Sequence, residues 1–247
     1  MLIDRQVLIT GATSGIGLAC ARAFAALGAS LTVTGRRAER LESLANDLTG
    51  SITVVPFDVT DRAATQAALQ DLPPPDVVVN NAGLASGLGP LHEGDFADWD
   101  AMLDTNVKGL LNVSRTVLPA MVQRGTGHVI NIGSIAGHEV YPGGAVYCAS
   151  KHATDALTKG MRQDLIGTGV KVSTVDPGMV ETEFSIVRFG GDTDRASKVY
   201  EGVDALTAED VAEAVVWIAD RPAHVQIAEV IIFPAAQVSA TGVHRRE

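Results

Sequence analysis

A short apolar run, Val7 to Thr10, leads directly into Gly11-Ala12-Thr13-Ser14-Gly15-Ile16-Gly17, and an apolar helical pattern through Leu18, Ala21, Phe24, Ala25 and Gly28 follows. A continuous apolar run of this length predicts a strand buried on both faces, as in a parallel sheet. Strand, glycine loop and helix in that order form a ready site for a phosphate. The glycines let the backbone come close, and the helix N-terminus offers free N–H groups at the positive end of its dipole. The spacing is G-x-x-x-G-x-G rather than the commoner G-x-G-x-x-G. The plain alternative is a glycine-rich turn with no ligand.

The rest of the chain repeats the alternation. Further strands are predicted at Leu31–Thr34, Ile52–Phe57, Val77–Val79, Gly127–Ile132, Lys171–Val175 and Val230–Phe233, with helices between them. About seven strands alternating with helices predict an α/β fold built on a doubly wound parallel sheet. No linker divides the 247 residues, so one domain is expected over 1–247. Phe96 to Met121 reads as one long helix, which Asn106 could kink. Glu183 to Asp204 lacks a clear period, and a stretch of that length is expected to act as a lid at about 183–205. The tail from Val238 to Glu247 shows no core role and is expected to reach a neighbouring subunit.

Ligands in such a fold sit beyond the carboxyl ends of the strands. Polar or small residues stand at each of those ends. Arg36 and Arg37 follow the second strand, where two guanidinium groups suit a ribose 2′-phosphate and so favour NADP(H) over NAD. Asp58 and Val59 follow the third; Asp58 either meets an adenine amine or caps the next helix. Asn81-Ala82-Gly83 follow the fourth, where small residues let the backbone lie against a flat ligand. Ser134 follows the fifth. Pro177, Gly178, Val180 and Thr182 follow the sixth.

Tyr147 and Lys151 are four apart in a predicted helix that opens near Gly143, so they share a face. An ammonium beside a phenol favours the phenolate and is expected to lower the Tyr147 pKa towards working pH. A tyrosine so tuned gives or takes a proton at a carbonyl or alcohol oxygen. The plain alternative is an ordinary helix pair.

Composition removes other classes. The formal net charge of -10 opposes nonspecific nucleic-acid binding. No apolar run approaches the roughly 20 residues that span a bilayer. No signal peptide is visible, and only two cysteines, Cys20 and Cys148, are present, so a reducing, cytoplasmic setting is expected. No histidine, cysteine and carboxylate cluster has metal-ligand spacing, and no metal is expected in the chemistry.

Taken together, Thr10-Gly11-x-x-x-Gly15-Ile16-Gly17, Asn81-Ala82-Gly83, Asn106, Ser134, Tyr147-x-x-x-Lys151 and Pro177-Gly178 resemble the short-chain dehydrogenase/reductase family in its single-domain, Rossmann-type form. The resemblance covers essentially the whole chain. It implies that Tyr147 is the general acid/base, and that Lys151 lowers its pKa and binds the nicotinamide ribose. It implies that Ser134 orients the substrate oxygen, Asn106 holds a water in a proton relay, and Thr182 meets the nicotinamide carboxamide. It also implies a homodimer or homotetramer packed through Phe96–Met121 and Gly143–Leu165.

A narrower likeness is to NADP-dependent 3-hydroxy acid dehydrogenases, which act on serine, allo-threonine or malonic semialdehyde. It rests on Thr34-Gly35-Arg36-Arg37, Glu183-Phe184-Ser185, Val187-Arg188-Phe189, Leu206-Thr207, Glu209-Asp210-Val211, Pro222-Ala223-His224-Val225 and Val243-His244-Arg245. Members carry one more glycine between Val180 and Thr182. Sulfoacetaldehyde reductases look similar, and 3-oxoacyl reduction is a further alternative within the class. A small acid or aldehyde substrate of this kind needs a cation for its anionic end, and Arg188, then Arg195, are the candidates. The competing reading outside the enzymes is a non-catalytic nucleotide-binding sensor.

Overall fold

The computed structural model describes residues 2–246. Seven strands form one sheet in the order β3-β2-β1-β4-β5-β6-β7. They are β1 (Gln6–Ile9), β2 (Ser30–Gly35), β3 (Ile52–Pro56), β4 (Val77–Asn80), β5 (Gly127–Ile132), β6 (Val170–Pro177) and β7 (Glu229–Ile232), and every neighbouring pair is parallel. All seven expected strands are present, with ends moved by a residue or two.

The helices α1 (Gly15–Ala26), α2 (Ala38–Asp47), α3 (Arg62–Leu69), α4 (Phe96–Leu103), α5 (Leu110–Arg124) and α6 (Ala145–Asp164) provide the crossovers. The short α7 (Phe184–Arg188) and α8 (Thr193–Lys198) precede α9 (Ala208–Ala219). One core packs α1 and α9 against one face of the sheet around Phe24, Val33, Val79 and Ile218; a second packs α3 and α5 against the other around Leu8, Val78, Val113 and Met121. Two covered faces explain why the central strands read as continuous apolar runs. The order reverses between β1 and β4, and that switch point opens a crevice at the carboxyl ends. No helix among the described residues is long and apolar enough to cross a membrane.

Two expectations are corrected. The long helix is interrupted: Asp104–Gly109 forms a π-turn between α4 and α5. The buried Asn106 side chain causes no void there, because it accepts from the Leu84 amide and donates to the Leu84 carbonyl, each at 2.8 Å, and to Ser150 Oγ at 2.9 Å. Second, the segment after Glu183 is not without structure, since it holds α7 and α8.

The tail also hydrogen-bonds to its own chain. The Arg246 amide donates to the Gly202 carbonyl, and the Arg245 guanidinium donates to the carbonyls of Glu201 and Val199. The open backbone after α8 supplies acceptors that the tail satisfies locally. Glu247 lies outside the described residues.

Candidate active site

The glycine loop between β1 and α1 is shaped by close backbone approach. Gly11 and Gly15 hold φ of 68° and 54°, a region that costs a side chain steric strain, and a Cβ at Gly17 would stand 2.5 Å from the Gly11 carbonyl oxygen. The N-termini of α3, α4, α8 and α9 are closed by Asp61, Asp95, Asp192 and Thr207, whereas no side chain caps α1 at Ser14. Its first amides therefore face the crevice with hydrogen-bonding capacity to spare, which fits a pyrophosphate.

The crevice encloses about 330 Å³. All the residues predicted to hold a dinucleotide border it except Gly17, which packs behind the loop: Gly11, Thr13, Ser14, Gly15, Ile16, Arg36, Arg37, Asp58, Val59, Asn81, Ala82, Gly83, Tyr147, Lys151, Pro177, Gly178, Val180 and Thr182. At its far end, Arg36 is well exposed and 3.9 Å from Asp58. Arg37 is engaged: it donates to Thr13 Oγ1 and Ser14 Oγ at 2.7 and 2.9 Å and pairs with Glu183 at 3.1 Å. Two cations at the end of β2 fit a 2′-phosphate, with Arg36 the freer of the two. Asp58 does not cap α3. It accepts from the amide and hydroxyl of Thr60, while Asp61 takes the cap, because Asp61 is the residue adjoining the first helical turn.

Asn81 stitches the floor, with its side-chain amide donating to the carbonyls of Thr10 and Gly11. Thr10 Oγ1 in turn accepts the amides of Asn81 and Ala82. Gly83 is a close approach: a Cβ there would meet Asn106 Oδ1 at 3.2 Å and Lys151 Nζ at 3.7 Å. Thr182 packs over Gly15, its Cβ 3.3 Å from where a glycine-replacing Cβ would lie.

At the centre, the Tyr147 ring is 8% exposed and lies inside the crevice rather than in bulk water. Phe184 of α7 meets it edge-on at 5.7 Å. The expected lowering of its pKa by Lys151 is not what the geometry delivers. Burial dominates and raises the Tyr147 phenol above its ordinary value, and the hydrogen bond of Ser134 and the charge of Arg188 only partly oppose it.

Lys151 Nζ stands 6.0 Å from the ring centre and donates to the Ile132 carbonyl at 2.9 Å. Its own burial lowers its pKa to about 8, with the charge of Asp176 opposing. Desolvation outweighs pairing here because both groups are buried. Ser134 Oγ accepts from the Ala136 amide at 3.1 Å at the start of a short 3-10 turn, and its side chain is also a hydrogen-bond partner of the Tyr147 phenol. The Asn106 side chain is engaged by Leu84 and Ser150, and Thr154 Oγ1 donates to its main-chain carbonyl at 3.4 Å.

The two substrate candidates separate. Arg188, on α7, lies with its guanidinium carbon 5.7 Å from the Tyr147 ring and 5.5 Å from that of Tyr141, whose phenol it also approaches; Nε donates to the Gly87 carbonyl at 3.2 Å, and buried Nη2 has no hydrogen-bond partner among the described residues. Arg195 is exposed on α8 and stacked on Phe189 at 4.4 Å; neither arginine borders the dinucleotide crevice, but Arg188 lines, with Tyr147, a smaller pocket beside it.

The sequence reading missed four participants. Glu183 joins α7 to Arg37 and Arg40, Phe184 covers the phenol, and Gln237 accepts the Met179 amide at 2.8 Å to pin the loop after β6. Asp176 stands behind Ser134. Asp176 and Gln237 had no readable signal, because both act through contacts distant in sequence. His138, Asp176 and Glu229 also come within 4.8 Å of one another. Lys159 Nζ reaches Glu229 at 4.0 Å, so the group is an ion-pair network that already contains its cation.

The profile of the short chain dehydrogenase family matches residues 5–189. A protein of Salmonella typhi named NADP-dependent 3-hydroxy acid dehydrogenase is 48% identical over 245 residues, covering 97% of this chain and 99% of that protein. Serine 3-dehydrogenase of Rhizobium radiobacter is 45% identical over 235 residues, covering 94% of each chain. The solved closed form of serine dehydrogenase complexed with NADP+ superposes with a TM-score of 0.93 at 46% identity, over 98% of this chain and all of that one. A parallel sheet with a glycine loop at its switch point, a buried Ser134–Tyr147–Lys151 centre, and likeness along nearly the full length point one way: this chain belongs to the short-chain dehydrogenase family.

Proposed function

We propose that the protein is an NADP(H)-dependent oxidoreductase that moves a hydride between the nicotinamide and a small 3-hydroxy acid or its semialdehyde. One observation carries the choice of substrate class: the Arg188 guanidinium lies beside the ring of Tyr147 with a buried nitrogen, Nη2, that has no hydrogen-bond partner among the described residues. A carboxylate bound there would leave the 3-oxygen of a three-carbon acid at the phenol. Serine, allo-threonine and 3-hydroxypropionate, or malonic semialdehyde in the reducing direction, meet that description. The names of the relatives support the same reading.

The cofactor supplies the hydride when bound. Arg36 and Arg37 would hold its 2′-phosphate, the glycine loop its pyrophosphate, and Asp58, Val59, Asn81, Ala82 and Gly83 would line its adenosine half. Lys151 would hold the ribose, and Pro177, Gly178, Val180 and Thr182 would line the nicotinamide half. The raised pKa of Tyr147 keeps it a phenol at neutral pH, so its oxygen can give a proton to a carbonyl. Ser134 aligns that carbonyl by a hydrogen bond. The segment from α7 through α8 acts as the lid.

A sulfonate fits the same guanidinium, so sulfoacetaldehyde reduction is the second reading. The chain works as a homodimer or homotetramer; exposed Leu103 and Leu111 on the segment expected to pack between subunits support this. Free, buried Cys20 and Cys148 accord with a reducing cytoplasm.

Tyr147→Phe is the test. NADPH oxidation with malonic semialdehyde or sulfoacetaldehyde should fall by about 10²–10⁴-fold, while NADPH binding by fluorescence stays near wild type. Turnover that survives the substitution removes the assigned acid.

A further inference from the structure

Asp176 is the last residue of β6 before Pro177, and it is 2% exposed. Its Oδ1 accepts the Ser134 amide at 3.1 Å and the Thr174 hydroxyl at 2.9 Å. A Cβ on residue 133 would stand 1.7 Å from that oxygen, so only glycine lets the carboxylate reach the end of β5. Its Oδ2 faces His138 Nε2 at 3.2 Å. Lys151 Nζ bonds to the Ile132 carbonyl, two residues before Ser134.

One buried carboxylate therefore stands behind the strand end that carries both the serine and the contact of the lysine. Neither the hydrogen bonds of the dinucleotide crevice nor the substrate arginine explains why a charge should be buried at this point.

We propose that Asp176 is a positioning residue, whose ionised carboxylate fixes the Ser134 backbone and stands as counter-charge to the Lys151 ammonium. This rests on the catalytic roles of Ser134, Tyr147 and Lys151 given above. The charged and titratable groups around the pair are few. His138 and Glu229 face Asp176, and Lys159 and Asp155 of α6 form the next ring through Glu229 and each other. Tyr147 and Cys148 share α6 with Lys151, and Arg188 and Tyr141 face Tyr147. Burial raises the Asp176 pKa, while Thr174 and His138 pull it back. The charge of Asp176 in turn opposes the fall of the Lys151 pKa.

Removing a buried negative charge favours the deprotonated form of every neighbour. The phenol and the amine titrate as a coupled pair, and both shift the same way.

Asp176→Asn keeps the volume and an acceptor for Ser134 and Thr174 but deletes the charge. With NADPH and malonic semialdehyde across pH 6–10, its alkaline limb of kcat/KM should move down by about one pH unit. Its kcat should fall about 10-fold or more, with the KM for NADPH little changed. Asp176→Glu should hold the limb at the wild-type position even where kcat falls.

An unmoved limb in Asp176→Asn overturns the proposal. So does a limb that moves equally in Asp176→Glu, or failure of both variants to fold, since each leaves a structural brace only. Titration of the Lys151 amine by nitrogen NMR in the NADP+-loaded protein reads the same effect without turnover: the midpoint should fall in Asp176→Asn, and an unchanged midpoint counts against the proposal. Absence of wild-type turnover with every aldehyde tried would instead remove the substrate reading, and the amine titration would still decide this one.

Discussion

Arg188, on α7, ties the backbone at Gly87 to the ring of Tyr147 through a single side chain. Its Nε is fixed on the Gly87 carbonyl, and its plane lies near two tyrosine rings, so the guanidinium is held in place before any anion arrives. Charge-assisted hydrogen bonds contribute about 1.5–3 kcal/mol each, and a preformed site loses little entropy on binding. Arg188→Ala should raise KM for a 3-hydroxy acid about 10–100-fold and leave an uncharged alcohol nearly unaffected. Equal effects in steady-state assays on both substrates would remove Arg188 as the anion site. The arginine was legible because it lies in a motif. The separation of Arg188 from Arg195 was not, because it depends on which ring each meets in the folded chain. The Tyr147–Lys151 pairing was equally legible from spacing, yet the direction of the tyrosine pKa was not, since burial is a property of the packed molecule.

Among the elements, the π-turn at Asp104–Gly109 most clearly shows local sequence yielding to tertiary demand. Asparagine inside a helix competes for backbone hydrogen bonds. Here Asn106 resolves that conflict by clamping both polar groups of Leu84, beyond β4, and the Ser150 hydroxyl of α6. Asn106→Ala would take the partner from the half-buried Leu84 amide and carbonyl and from the buried Ser150 hydroxyl and should cost about 2–4 kcal/mol, read as a lower urea midpoint. A change within half a kcal/mol would show that the clamp is incidental. The helix over this segment was readable from its apolar spacing, whereas the extra residue in its turn was not. The same limit hid α7 and α8, which are too short to carry a period; Glu183 at the start of α7 is held against Arg37 and Arg40.

For the whole molecule, a buried polar layer runs between the apolar ones. Asn80 donates to Ser114 and Asn131, Asn131 donates to Thr158, and these ties hold α5 and α6 to the centre of the sheet. His128 belongs to that interior, 3% exposed and paired with Ser173 Oγ at 2.7 Å. Burial, with help from the charge of Lys171, lowers its pKa from 6.5 to about 3. The folded chain therefore keeps His128 neutral while the unfolded chain takes up a proton below pH 6.5. Its contribution is complete above that pH and is lost progressively as pH falls towards 3. Between pH 7 and 5 the loss from this residue is about 2 kcal/mol. His128→Gln should flatten the pH dependence of stability by that amount in denaturant titrations. An unchanged slope would mean that the ring is hydrated.

By itself the sequence determined the alternation of strands and helices, the glycine loop, and the polar residues at successive strand ends. These follow from side-chain periodicity and backbone freedom, which act over a few residues. Only the tertiary structure decided that the phenol is raised rather than lowered, that Asp176 backs the serine, that Arg188 and not Arg195 faces the phenol, and that the tail hydrogen-bonds to its own chain. Each of those depends on desolvation or on contacts between residues far apart in the chain, and neither is written in local order.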